Sequence, residues 1–582
     1  MCLGCNPQLA SVLRSVVSRR GFIGGATAFA AAGPIWGAAS AQTLSPALIG
    51  EPADAILFGG PIVTVDDLAP NAEAIAIHQG RISAVGSREA VMAQRGPKTQ
   101  TLDLQGRTVL PGFIDPHMHT SMAVILPWLD VSPFTTKTIA EAMAKIKAAA
   151  AKTKEGDWVQ AANLDPSLMP GPPVTTALLD AASPDRPVLV LESNGHIAYA
   201  NSQALKAAGI TKDTPNPPQG RFVHDASGAL TGRLEEYPAF LPIFAKMPQM
   251  TPAELVMNTR KVLDTAAAAG CTALHDCGFG MLHGMGDIDI LQQVMSASPP
   301  IRLSGALVST HMDDWIKAGI KPNAGNDRFR MTSVKAWSDG SNQARTGYQR
   351  EPYLNSTSRG VLNYTPEQML EAMQRPHDLG WQLSVHANGD AAIDTTIDAY
   401  KKILAKTPRT DHRHRIEHCS ILHPEQITEI KDLGLTPTFL IGHVYYWGRA
   451  FRDNILGPER AALLDPCASA LKAGLRISMH SDYNVTPIEP LRFMQTAVTR
   501  IMRDGGEVLT PNERITQQQA IRAMTLDAAW QCRQDHIIGS LTVGKYADLA
   551  ILEDNPATVD PERIASIKVS ETWLEGQPRT PA

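Results

Sequence analysis

His117 and His119 close the apolar run Leu110-Pro-Gly-Phe-Ile-Asp-Pro-His-Met-His. On a strand, positions i and i+2 face the same way, so both imidazoles are presented to one side, close enough to share a cation. Histidine is the commonest metal-binding side chain, and a pair on an otherwise apolar strand is poorly explained by solubility or packing. Four further polar residues, Lys335, His386, His418 and Asp482, each end an apolar, strand-like run. In a parallel barrel the C-terminal strand ends are where catalytic groups collect, so this pattern points to metal-assisted chemistry at such a face.

The elements that must carry these residues alternate between strand-like and helical stretches. The apolar runs begin at Thr272, Arg302, Thr332, Gln382, His414, Leu435 and Arg476, with amphipathic segments between them, which argues for a parallel α/β core. One βα unit of an eight-fold barrel takes roughly 35 residues. The gaps of 51 from Lys335 to His386 and 32 from His386 to His418 are one unit each, and the 64 to Asp482 are two. The four residues therefore fall on strands 4, 5, 6 and 8. From His119 to Lys335 the chain runs about 110 residues longer than three units need, an excess assigned to an α/β insertion after strand 1, at about 130–255.

Short strand-like segments with turn signals fill residues 42–112 and return in 536–582, for example at Gly539-Ser-Leu-Thr-Val-Gly-Lys-Tyr-Ala-Asp-Leu-Ala-Ile-Leu. Neither end alone buries much, so both are expected to meet in one small β-sandwich flanking a barrel of residues 113–535. Residues 1–41 read as an address. Ser18-Arg-Arg-Gly-Phe-Ile-Gly precedes a mild Ala/Gly run and Ala39-Ser-Ala, which resembles a twin-arginine signal cut before Gln42. That run contains Pro34 and is barely long enough to span a bilayer, so no stable membrane insertion is expected. The expected partner is the twin-arginine export machinery, and the destination is the periplasm or beyond.

Composition narrows the remaining classes. With 43% hydrophobic and 19% charged residues the chain is globular, and 53 basic against 58 acidic residues leave no basic field for nucleic acid. Of the seven cysteines Cys2 and Cys5 leave with the signal, and the remaining five lack the paired spacings of a disulfide scaffold or a zinc knuckle.

The ordered motifs Pro111-Gly-Phe-Ile-Asp-Pro-His-Met-His, Val334-Lys-Ala-Trp-Ser-Asp-Gly, Val385-His-Ala-Asn-Gly-Asp, Arg413-His-Arg-Ile-Glu-His and His480-Ser-Asp resemble the amidohydrolase superfamily, in its family-3 branch with N-substituted formamide deformylases. The resemblance covers nearly the whole mature chain. It implies a (β/α)8 TIM barrel holding one or two divalent ions, zinc foremost, on His117, His119, Lys335, His386, His418 and Asp482. Lys335 has its own chemistry, because a desolvated lysine among cations loses its proton, adds CO2 and becomes an anionic carbamate able to bridge two metals. The other reading keeps Lys335 an amine beside substrate or Asp339.

The chain departs from the family pattern in places. Where many relatives have glycine before Ser-Asp, this chain has His480, which either enters the pocket or packs behind Asp482. After strand 7, His443 is either a polar contact to substrate or a satisfied loop histidine, Trp447 is a candidate substrate contact, and Tyr445 and Tyr446 join Trp447 as an apolar wall or as ordinary packing. In the insertion, the resemblance makes His196 either a contact to a substrate carbonyl or a structural loop histidine, whereas Asp165, Arg233 and Glu236 read as surface or salt-bridge residues. The implied reaction is hydrolysis of a non-peptide C–N bond (amide, formamide or N-acyl) in a small-molecule substrate by a metal-activated hydroxide, with Asp482 as proton shuttle. A lactone, carbamate or cyclic amide suits the same site, and an exported binding or regulatory protein is the non-catalytic alternative. A homo-oligomer is compatible with every one of these readings.

Overall fold

The helices that frame the centre of the chain start at signals visible in the sequence. Thr251-Pro-Ala-Glu254 and Thr365-Pro-Glu-Gln368 each form a reciprocal capping box with proline in the first turn. Each such helix leads into a fully buried strand. The structure, a computed structural model, describes residues 51–579 apart from 196, 218–219 and 236, so the signal segment, His196 and Glu236 lie outside the described residues.

Eight parallel strands follow one another in sequence order: β1 (Phe113–Met118), β2 (Cys271–Phe279), β3 (Arg302–Val308), β4 (Phe329–Trp337), β5 (Gln382–Ala387), β6 (Arg415–His418), β7 (Thr436–Phe439) and β8 (Ser478–Met479). Lys335, His386 and His418 thus sit on strands 4, 5 and 6, and Asp482 follows strand 8. Helices Pro252–Ala268, Met285–Ser296, Pro366–Asp378, Asp390–Lys406, Pro424–Asp432 and Pro490–Thr499 are among those covering the outside, so the fold is a TIM barrel.

The ladder from β1 to β8 leaves one seam between the ends of the sheet. It is closed beyond the short β8: Ser481 N–H donates to Asp115 Oδ2 (3.2 Å), Asp482 N–H to His117 O (3.0 Å), and His119 N–H to Tyr483 O (3.1 Å). Inside the barrel the two-residue repeat stacks polar groups in layers. His275 bonds Ser304 (2.9 Å) and Ser333 (3.3 Å), which form a floor below the strand ends.

Between β1 and helix Pro252–Ala268 stands the insertion, a six-stranded sheet running from Leu129–Asp130 to Leu230–Glu235 with its own apolar core around Ile146, Leu179 and Val190. Strands from the two chain ends join in one eight-stranded sheet, where Leu549–Leu552 pairs antiparallel with Thr108–Pro111. The strand Ala55–Val63 shifts register between Phe58 and Ile62, and its two halves pair with Gln100–Asp103 and Thr108–Pro111 in turn. Gly59 (φ +82°) makes that fork possible, since a Cβ there would meet the Asp103 carboxylate. Cys271, Cys277, Cys419, Cys467 and Cys532 are all free and buried. Among the described residues no helix is long and apolar enough to cross a membrane.

Candidate active site

The alternation that buries β1 brings Asp115 and His117 inward, and the next inward position is His119, just past the strand end. His117 Nδ1 lies 2.5 Å from Glu417 Oε2. Its Nε2 is turned the other way, 3.3 Å from Asp482 Oδ1 and 3.2 Å from Lys335 Nζ. His119 Nε2 reaches the same Asp482 oxygen at 3.2 Å, while its Nδ1 lies 3.8 Å from Asp276 Oδ1. One ring edge of each imidazole thus faces a carboxylate behind it, and the other faces a common point. This is how metal-ligating histidines are held.

Glu417 and Arg415 are adjacent inward positions of β6, and neither is exposed to solvent. Arg415 donates to Glu417 Oε2 (2.8 Å) and to Pro116 O (2.7 Å). Burial opposes the Glu417 charge, but the Arg415 guanidinium and His117 overcome it and hold the carboxyl well below the usual range. At the end of β6 the backbone of His418 and Cys419 turns into the left-handed region (φ +73° and +47°), which swings a residue next to the inward Glu417 into the pocket as well. Asp482 has the same kind of backbone (φ +49°). Three strained residues at strand ends mark where the fold positions side chains at a local cost.

His386 packs its ring 4.5 Å from His418. Its Nε2 lies 3.1 Å from Gly340 O, and its Nδ1 is buried without a hydrogen-bond partner among the described residues. Asp339 accepts backbone N–H groups from Asn388 (3.0 Å), Gly389 (2.8 Å) and Tyr348 (2.8 Å), so it holds the turn after β5. Lys335 is fully buried, with its amine against His117. His480 enters the pocket, with its ring stacked on His117 at 4.7 Å and 5.1 Å from that of His418. Two groups of ligand atoms, from His117, His119 and Asp482 and from His117, His418 and His480, each lie within 4.8 Å of one another. Buried imidazoles beside one carboxylate are a donor set suited to a borderline divalent ion such as Zn²⁺ and poorly suited to Mg²⁺ or Ca²⁺.

The substrate-side residues are arranged differently from the sequence expectation. Both ring nitrogens of His443 are taken up by the scaffold, Nε2 by Gln343 Nε2 (2.8 Å) and Nδ1 by Ser420 Oγ (3.3 Å), and burial pushes its pKa down to about 3. Trp447 donates its indole N–H to Asp165 Oδ2 (2.8 Å). Asp165 is therefore no surface residue: it is buried, also accepts from Ser193 Oγ (3.2 Å) and Ser167 N–H (3.0 Å), and ties the insertion to the loop after β7. Arg233 keeps its expected salt bridge, to Glu235 (2.9 Å). Tyr445 and Tyr446 line a cleft of about 1010 Å³ between that loop and the insertion, opposite Phe134 and Met169. Sequence reasoning missed Glu417, Arg415 and Asp276. The first two lay inside a quoted motif, where alternation with His418 was the available signal.

An eight-strand parallel barrel whose C-terminal ends gather buried histidines around a carboxylate is the architecture of a metal-dependent hydrolase. The chain belongs to the amidohydrolase family, whose profile matches residues 100–579. It is 29% identical over 524 residues to Protein LONG AFTER FAR-RED 3 of Arabidopsis thaliana, covering 86% of this chain and 88% of that protein. It is 26% identical to the N-substituted formamide deformylase of Arthrobacter pascens, covering 90% and 97%. The fold resembles that of an uncharacterized metal-dependent hydrolase from Pyrococcus horikoshii, with a TM-score of 0.69 at 21% identity over 87% of this chain and 99% of that one.

Proposed function

We propose that the chain hydrolyses a non-peptide C–N bond (an amide, formamide or N-acyl amine) in a small molecule. The observation that carries this reading is the pair of imidazoles on β1, each backed by a carboxylate and each turning Nε2 toward Asp482 Oδ1. His117, His119, His386, His418 and Asp482 would hold one or two divalent ions, with Lys335 between them. Lys335 Nζ would bond to CO2 and release a proton, and the resulting carbamate is the anion a bridging position requires. A bound divalent ion supplies a Lewis acid for the scissile carbonyl and lowers the pKa of water to about 7.

The protein's part is proton handling and water exclusion. Asp482 stands between two imidazole Nε2 atoms, where its carboxylate accepts a proton from the attacking water and returns it to the departing nitrogen. The Trp447–Asp165 bond ties the insertion to the loop after β7, and so helps to close that side of the barrel mouth to water. Residues 1–41 are proposed to direct folded protein through the twin-arginine route.

The test is metal content with turnover. Mature protein stripped by chelator and reloaded with zinc should regain hydrolysis on a panel of formamides, N-acyl amines and lactones. His117→Ala combined with His119→Ala should lose both metal and rate. Full metal retention in that double variant would place the metal elsewhere and end the proposal.

A further inference from the structure

One histidine in this pocket has no place in the ligand set above. His480 stands where the family resemblance expects glycine, and its ring is completely buried. His480 directly follows β8, two residues on from Ser478, and its N–H continues the ladder by donating to Phe439 O (3.1 Å), so the backbone fixes the ring inside the barrel. Neither ring nitrogen has a hydrogen-bond partner among the described residues. Buried polar atoms without partners are rare because they lose their hydration and receive nothing in return, so each one calls for a ligand or an explanation.

The surroundings say what the ligand is. The rings of His117, His418 and His480 stand 4.7, 4.7 and 5.1 Å apart, and one nitrogen from each falls within 4.8 Å of the others. A tetrahedral zinc with Zn–N bonds of about 2.0–2.1 Å needs N···N separations of roughly 3.3 Å, which modest ring rotations reach from here. We infer that His480 is an additional metal ligand of this chain, completing an imidazole trio with His117 and His418 for Zn²⁺ or a similar borderline ion. The inference rests on the metal-hydrolase reading and adds to it a nitrogen donor that a glycine-bearing relative lacks.

The trio should select nitrogen-preferring ions, so Zn²⁺ and Co²⁺ should bind and Mg²⁺ should not compete. In a chelator-competition titration of the full mature chain, His480→Gly should weaken zinc binding at least tenfold, and millimolar free imidazole should restore most of the loss by refilling the space. The visible absorption of the Co²⁺ form should change in His480→Gly and return with imidazole. His377→Ala, a buried histidine at the other end of the barrel, should change neither. In the unmutated chain, the ¹⁵N shift of a His480 ring nitrogen should move to the metal-bound range when zinc is added, a readout independent of how well any variant folds. Wild-type zinc affinity and an unchanged Co²⁺ spectrum in His480→Gly, with zinc lost in His117→Ala plus His119→Ala, would overturn the inference and leave the hydrolase reading intact. An unmutated chain that binds no zinc would overturn both.

Discussion

Glu417→Gln separates the chemistry of the pocket from its shape. The amide keeps the volume and an acceptor for His117 Nδ1–H but removes the charge. Two effects follow from the geometry. His117 loses the anionic partner 2.5 Å behind it, and loss of such a supporting carboxylate typically weakens metal binding about 10–100-fold, or about 1.4–2.7 kcal/mol. Arg415, with no exposed surface, keeps only neutral acceptors, the new side-chain amide oxygen, Pro116 O and Cys532 Sγ, and a buried charge left without its counter-ion in this way costs up to roughly 3–5 kcal/mol of stability. The two losses are separable. Arg415→Met added to Glu417→Gln removes the orphan charge, so the double variant should recover much of the stability of the apo protein and none of the metal affinity. The assays are zinc titration against a competing chelator and urea unfolding of the metal-free chain. A single variant with wild-type zinc affinity, or a double variant that regains affinity along with stability, would refute the view that Glu417 acts through His117.

Asp482→Asn should still bind substrate and much of the metal but lose at least the roughly 10²–10⁴-fold that proton transfer contributes to kcat, and near wild-type kcat at saturating substrate would remove it from the mechanism. At the opposite end of the barrel His377, His412 and His414 form a chain in which His377 Nδ1 meets His414 Nε2 (2.9 Å) and His414 N–H donates to His412 Nδ1 (3.0 Å). Burial lowers the pKa of all three in the folded state, so the neutral forms stabilise the fold fully above about pH 6.5, and that stability is lost as pH falls through the folded values. The urea midpoint should therefore drop on acidification below about pH 6.5, and His414→Gln should flatten that dependence. Replacing both Arg19 and Arg20 by lysine should leave folded protein in the cytoplasm, and unchanged export on cell fractionation would contradict the signal assignment.

The barrel was legible because its strands are apolar runs, five of which, β1, β4, β5, β6 and β8, lead into a histidine, lysine or aspartate at or just past the strand end, and the spacing of those residues counts βα units. Lys335, His386, His418 and Asp482 could be assigned to strands 4, 5, 6 and 8 on that ground alone. What stayed hidden depended on quantities a linear reading lacks. The side to which His480 points depends on where β8 ends and how Asp482 turns, and a left-handed φ at a non-glycine residue leaves no trace in the sequence. Asp165 and Trp447 are 282 positions apart, so nothing local announced their bond. Glu417 stands between Arg415 and His418 on a strand buried throughout, so alternation with Arg415 places both inside but does not tell a ligand's support from an ordinary core ion pair.

The seam between β8 and β1 carries one more consequence. The barrel is fastened there by the amides and carbonyls of residues 117, 119, 482 and 483, which are the proposed ligands themselves or their next neighbour. Closing the cylinder and assembling the reaction centre are then a single event, so whatever grips those side chains also locks the strands. By mass action, an ion present at 100 times its dissociation constant would add about 2.7 kcal/mol to the closed form. Folded lifetime would thus track metal supply, and a chain that folded without its ion would breathe first at the line where β8 meets β1, as faster amide exchange at Asp482 and His119.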